Sequence, residues 1–261
     1  MKRIRRIFLI ILCILALAAG TIGVSAWRNS RGFAETAVYF LRLLTGTEEV
    51  QGIFVSPDLK DLPPWDGKTI AVPVNHNVPL FSEEDRNLPE GTVRYSSLDE
   101  LGRCGSVTAS LCAADLPENP RDDEESRMTI IPTGYQQTEY PEELVEHRFL
   151  YHRCHLLGWQ LGGETSGRNL IAGTRAFNIE GMLPYENQAA RYLYSHRSHH
   201  ILYRVTPVFA GSERSCRGVL MEGLSPEDPG ELSFCVFIYN EQPGIVIDHW
   251  DGSSRIQPEE G

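Results

Sequence analysis

Between residues 68 and 250 the apolar residues fall in short runs broken by Gly, Pro and Asn, and a helical period is sustained only beyond Arg175. Runs of three to nine residues bounded by such breakers read as strands. They are Ile70–Val74, Phe149–His155, Asn169–Thr174, Ile201–Phe209, Leu232–Tyr239 and Ile245–Ile247, with a turn and then a strand between Leu98 and Cys112. Asn75 to Pro79 reads as the turn that ends the first strand. Pro184 suits the first turn of a helix carrying Tyr185 to Tyr194, because its missing N–H has no partner there in any case. Strands and helices do not alternate as βαβ units, so the pattern favours an α+β fold over a doubly wound parallel sheet.

The chain opens Met-Lys-Arg-Ile-Arg-Arg, followed by a nearly uncharged apolar run from Ile7 to Ala26. The basic start, the apolar stretch and the small residues Val24-Ser25-Ala26 have the build of a signal peptide. The run is also long enough to serve as an uncleaved membrane anchor. Either reading puts the remainder outside the cytoplasmic membrane, secreted or anchored on its outer side, in the orientation the positive-inside rule requires. The expected organisation is a leader over 1–26, a spacer over 27–67, a catalytic domain over 68–250 and a tail over 251–261. The spacer contains a short amphipathic stretch, Glu35 to Leu44, and ends at Pro63-Pro64.

Cys13 lies in the leader and five cysteines remain outside it. In an oxidising location that number allows one or two disulfides and leaves at least one thiol. Cys104 with Cys112 and Cys216 with Cys235 are the preferred pairs.

The formal net charge is −11, and the leader through Arg28 holds five basic residues and no acids, so the exported part carries −16. Such a balance counts against a polyanionic substrate, since phosphate neutralisation by Lys and Arg supplies most non-specific affinity. The charge is uneven, however. Asp115 to Glu146 is acidic, whereas Arg191 to Arg217 holds five arginines, three histidines and one acid. A local basic face can operate on an acidic protein.

The chemistry concentrates at Tyr151-His152-Arg153-Cys154-His155-Leu156-Leu157-Gly158, followed by Asn169, Asn178 and Glu186. On a strand Arg153 and His155 project from one face. A base able to take a proton near neutral pH then sits beside a guanidinium that recognises phosphate oxygens. Asn178 is either a helix N-cap or, through its side-chain oxygen, a ligand for a hard divalent cation completed by water. Glu186 is either a solvated helix charge or the carboxylate that holds a metal-bound water. Asn169 closes a turn or orients the site. A rival assembly of His147, His152, Cys154 and His155 around zinc has no defensible ligand spacing, and strand alternation turns His152 and Cys154 away from Arg153 and His155. His196, His199 and His200 read as a basic surface. Cys154 is a disulfide partner or a small buried residue.

At these residues the chain resembles the DNA/RNA non-specific endonucleases, most closely the secreted streptococcal-type DNases. Their ββα-metal site carries an Asp-Arg-Gly-His motif, and His152-Arg153-Cys154-His155 stands at that point. Arg168-Asn169-Leu170-Ile171, Thr174-Arg175-Ala176-Phe177-Asn178 and Pro184-Tyr185-Glu186-Asn187 are similar to the segments that follow. Further likeness extends over Val74–Pro79, Ser97–Arg103, Arg204–Val208 and Phe234–Ile247, so the resemblance covers roughly residues 68 to 250. It implies a central antiparallel sheet with a ββα-metal motif, His155 as general base and Asn178 as the ligand of Mg²⁺ (or Mn²⁺). It also implies supporting roles for Arg153, Asn169 and Glu186, and DNA, with RNA a further candidate, as substrate. Two departures stand out: His152 replaces the usual aspartate, which alters electrostatics near the base, and Cys154 replaces glycine, which adds bulk there. The expected function is an extracytoplasmic metal-dependent endonuclease with little sequence preference. The competing readings are a catalytically impaired binding module on the same fold and a zinc-dependent hydrolase. A membrane enters only through an uncleaved leader.

Overall fold

A computed structural model of the protein describes residues 62–118 and 129–258. The expected leader and the amphipathic stretch Glu35–Leu44 lie outside the described residues, as does most of the acidic loop after Pro117. All the described residues belong to one compact unit, 51–261. Among them no helix is long and apolar enough to cross a membrane.

The strands are β1 (Ala71–Pro73), β2 (Thr92–Tyr95), β3 (Val107–Cys112), β4 (Tyr151–His155), β5 (Leu170–Thr174), β6 (His200–Val208), β7 (Gly218–Leu224), β8 (Ser233–Tyr239), β9 (Ile245–Ile247) and β10 (Ser254–Ile256). Two α-helices join them, α1 (Glu83–Arg86) and α2 (Leu183–Ser195). Six strands form one antiparallel sheet in the order β1-β8-β7-β6-β3-β2, while among the described residues β4 pairs only with β5 and β9 only with β10. The fold is α+β, as the strand pattern predicts.

The pleat gives the large sheet two different faces, because successive side chains point to opposite sides. Ile201, Tyr203 and Val205 of β6 share a face with Val219 and Met221 of β7 and with Phe234, Val236 and Ile238 of β8. These pack with Leu156, Leu157, Phe177, Met182, Ala189 and Leu193 into the main core. The β4–β5 hairpin and α2 therefore lie on this side of the sheet. Burying one such leucine is worth about 1.5–3 kcal/mol, so α2 is held by packing.

The opposite face carries Arg204, Glu222 and Cys235 in one cross-strand row and is covered by the segment before β2. Glu222 is fully buried, and Arg204 donates to it (2.7 Å) and to Asp85 (2.9 Å). The Leu80 amide donates to the other Glu222 oxygen at 2.7 Å. Charges so deeply buried persist only when they are paired and hydrogen-bonded. Arg204 is thereby withdrawn from the basic stretch expected to face solvent, and Arg217 is likewise paired with Glu213. The three histidines are not a plain basic surface either. His200 meets Glu227, His196 meets Glu231, and the His199 ring meets the Tyr192 hydroxyl.

All five cysteines outside the leader are free thiols, so neither expected disulfide forms. Cys235 lies in the Arg204–Glu222 row, with its thiol near the Asn75 amide. Cys216 precedes β7 and meets Asn240. The intervening strand length separates the two. Cys104 is buried against the Leu170 carbonyl, whereas Cys112 ends β3.

Candidate active site

Strand β4 runs antiparallel to β5 with His152 opposite Gly173, Arg153 opposite Ala172 and His155 opposite Leu170. Tyr151 and Arg153 share one side of β4, both against the Tyr135 ring, and Cys154 takes the other. Cys154 turns into the core, fully buried, and burial pushes its thiol well above the ordinary range. A Cβ on Gly173 would lie 2.5 Å from the Cys154 sulfur and from the Phe177 ring. The missing side chain at 173 makes room for the thiol at 154. The bulk of Cys154 is therefore taken up on the core side and is not placed beside the base.

His155 ends β4, with its Nε2 3.2 Å from the Thr165 hydroxyl. Thr165 belongs to the loop that returns from β4 to β5, and Asn169 clamps that loop. The Asn169 side chain is wholly buried. It accepts from the Leu157 amide (2.9 Å) and donates to the carbonyls of Leu157 (3.0 Å) and Glu164 (2.8 Å). Both amide protons are thus committed to the backbone, which makes Asn169 a positioning residue.

After β5 the chain enters a π-helical turn, Phe177–Met182, in which the Leu183 amide bonds back to the Asn178 carbonyl. Such widened turns recur at functional sites because they re-aim one side chain. Asn178 lies inside this turn and caps nothing. Its amide nitrogen is 2.8 Å from Nδ1 of His152. An amide nitrogen can only donate, so this ring nitrogen carries the lone pair. Burial, with a smaller contribution from His147, pushes His152 below the usual histidine range, which favours that neutral form. With the Nδ2 end of the carboxamide engaged, its oxygen is the end left for a cation. An uncharged amide oxygen of this kind is a suitable ligand for a hard divalent ion.

Arg153 lies over the Tyr135 ring, 5.0 Å from its centre. Its Nε is buried without a hydrogen-bond partner among the described residues. An unmet guanidinium donor is costly, and a phosphate oxygen would satisfy it.

Glu186 is not a solvated helix charge. It is buried on α2, accepts from Gln160 at 3.3 Å, and burial lifts its carboxyl to about 7. The loop crosses so closely above it that a Cβ on Gly158 would meet Glu186 at 2.8 Å. His155, Asn169 and Glu186 are therefore linked through one loop, residues 156–169, while Asn178 is linked to His152. Sequence reading missed Thr165, Gln160 and Tyr135. None stands in a motif, and only the backbone path brings them in. Among the described residues no three His, Cys, Asp or Glu side chains are grouped to hold a metal, so the zinc assembly around His147, His152, Cys154 and His155 does not form.

The family model described as DNA/RNA non-specific endonuclease matches residues 83–225. No curated protein matches the chain. Among solved structures, NucA from Streptococcus agalactiae with magnesium ion bound superposes with a TM-score of 0.61 at 19% identity, covering 73% of this chain and 89% of that one. The same protein with no metal bound gives 0.63 at 19% identity over 76% and 92%. The Sda1 nuclease with bound zinc ion gives 0.51 at 23% identity over 64% and 82%. These likenesses establish a shared fold, and the family match spans more than half of the residues. The chain belongs to the DNA/RNA non-specific endonuclease family.

Proposed function

We propose that the protein is an extracytoplasmic, metal-dependent endonuclease that hydrolyses phosphodiester bonds of DNA, and of RNA as a second substrate, with little sequence preference. The observation that supports this reading is the 2.8 Å approach of the Asn178 amide nitrogen to His152, on the strand that ends in the candidate base. The leader supports the location.

In the proposed reaction His155 takes a proton from water as the water oxygen bonds to phosphorus in line with the departing 3′ oxygen. The P–O3′ bond breaks, the 3′ oxygen takes a proton from a solvent water, and His155 later returns its proton to solvent. Thr165 orients the imidazole. Arg153 donates to a non-bridging oxygen through its guanidinium. Glu186, buried beneath Gly158, holds solvent near the site once ionised. Asn178 would hold Mg²⁺ (or Mn²⁺), and the chemistry such an ion supplies is neutralisation of charge on the phosphoryl and leaving oxygens. Recognition runs through the backbone, since no base-reading module is present in the sequence.

The test is incubation of the purified protein with plasmid DNA and with RNA, in Mg²⁺ and then in EDTA. Cleavage in Mg²⁺ alone, abolished in a folded His155→Ala protein, is the expected result. No metal-dependent cleavage by pure, folded protein would favour a binding module on this scaffold.

A further inference from the structure

The loop that presents Thr165 to the base is pinned to the edge of the large sheet. Strand β2 is the edge strand beside β3, and the hydroxyl of its last residue, Tyr95, accepts from the Glu164 amide at 3.1 Å. Between β2 and this loop lies an open cavity of about 640 Å³ lined by Arg94, Tyr95, Glu164 and Arg168. The Arg168 guanidinium lies 5.6 Å from the centre of the Tyr95 ring. Arg168 immediately precedes Asn169, and Glu164 immediately precedes Thr165, so the cavity and the base share one short loop.

Two cations line this cavity, each with a carboxylate neighbour. Arg168 is 3.1 Å from Glu164 and Arg94 is 2.7 Å from Glu84. The arginine side chains are 50% and 51% exposed. Pairs this open are weak and exchange readily for a stronger anion. The contrast with Arg204, 7% exposed against a fully buried Glu222, is decisive: that arginine cannot leave its partner. An exposed guanidinium forks onto phosphate oxygens with two parallel bonds, and it prefers a dianionic or polyanionic strand to a lone, solvated carboxylate.

We propose that this cavity is a phosphate-binding subsite for the nucleic-acid strand flanking the scissile bond, with Arg168 and Arg94 as its two cations. Tyr95 couples it to the catalytic loop through Glu164. The proposal rests on the endonuclease reading and extends it. It places phosphate contacts at the sheet edge joined to the Thr165 loop, outside the Arg191–Arg217 stretch, whose Arg204 is held in a buried ion pair.

The experiment measures binding of a fluorescein-labelled DNA duplex to the full-length protein by anisotropy, in EDTA, on a His155→Ala background and across a range of salt. Arg94→Ala with Arg168→Ala should raise Kd about tenfold and reduce the slope of log K against log[salt] by about 2, one condensed counterion for each phosphate that is no longer neutralised. Arg94→Lys with Arg168→Lys should recover most of the affinity. Arg148→Ala, which breaks a comparable exposed pair with Glu139 at 3.5 Å and does not line this cavity, should change neither quantity. An unchanged slope in the double alanine variant, an equal loss in Arg148→Ala, or a parent with no affinity for DNA would each overturn the proposal. Failure of the endonuclease reading would instead show as absent metal-dependent cleavage by the unaltered protein, which this binding measurement does not use.

Discussion

A ring nitrogen that accepts a hydrogen bond from an amide does for that amide what a carboxylate oxygen would do. Nδ1 of His152 and a carboxylate oxygen of aspartate are both bonded to Cγ, so in the proposed site His152 would keep the acceptor of the motif's usual aspartate and lose its charge. Partners that orient a metal ligand are typically worth ten- to a hundredfold in metal affinity. His152→Leu, which has no acceptor, should therefore weaken Mg²⁺ binding about tenfold, and His152→Asp, which restores the charge, should tighten it about tenfold. Calorimetric titration without substrate reads this directly. Equal affinities in the three proteins would remove His152 from any role at the cation site. The second departure, Cys154, makes a separate prediction. Gly173→Ala would drive a methyl group into the Cys154 sulfur and the Phe177 ring. Overpacking of this kind costs about 1–3 kcal/mol, to be seen as an earlier midpoint in urea.

Most of the elements that build the site were legible because each is a short apolar run with clear ends. The expected strands 149–155, 169–174, 201–209, 232–239 and 245–247 match β4, β5, β6, β8 and β9 within two residues at each end, and Pro184 sits in the first turn of α2. The missed elements share a physical cause. Strand β7 reads Gly-Val-Leu-Met-Glu-Gly-Leu, and its two glycines and a glutamate erase the strand signal. All three serve long-range partners: the Phe237 and Phe234 rings lie over Gly218 and Gly223, and Glu222 neutralises Arg204. Strands β2 and β10 are short and neither holds a fully buried residue, so burial leaves little pattern on them. The loop between β4 and β5 has no period at all, and its shape depends on Asn169. Asn169→Ala removes the acceptor of the buried Leu157 amide, at a cost of about 1–3 kcal/mol. Hydrogen exchange should accelerate at Leu157, and cleavage should fall because Thr165 loses its fixed position beside His155.

Across the whole molecule, what the sequence concealed is how charge is apportioned. A run of arginines looked like a substrate face, yet Arg204 is locked in a buried pair with Glu222, and a helix carboxylate that looked solvated is buried. Glu186 provides a global test of that apportionment. Its carboxyl rises to about 7 in the folded, metal-free protein from an ordinary value near 4.5. The folded state thus keeps a proton that the unfolded chain releases. This contribution to stability is fully present below about pH 4.5, declines as pH rises, and is gone above about 7. The shift corresponds to about 3 kcal/mol at about 1.4 kcal/mol per unit. Other carboxyls, such as Glu213 and Glu227, are lowered and act in the opposite sense in acid, so the whole-protein profile mixes both. Subtraction isolates Glu186: urea unfolding of the EDTA-treated protein and of Glu186→Gln, each from pH 4.5 to 8, should give a stability difference that falls with pH in favour of the variant. A flat difference would mean that the carboxyl is already ionised in the folded state, and that the loop over Gly158 leaves it more water than its burial allows.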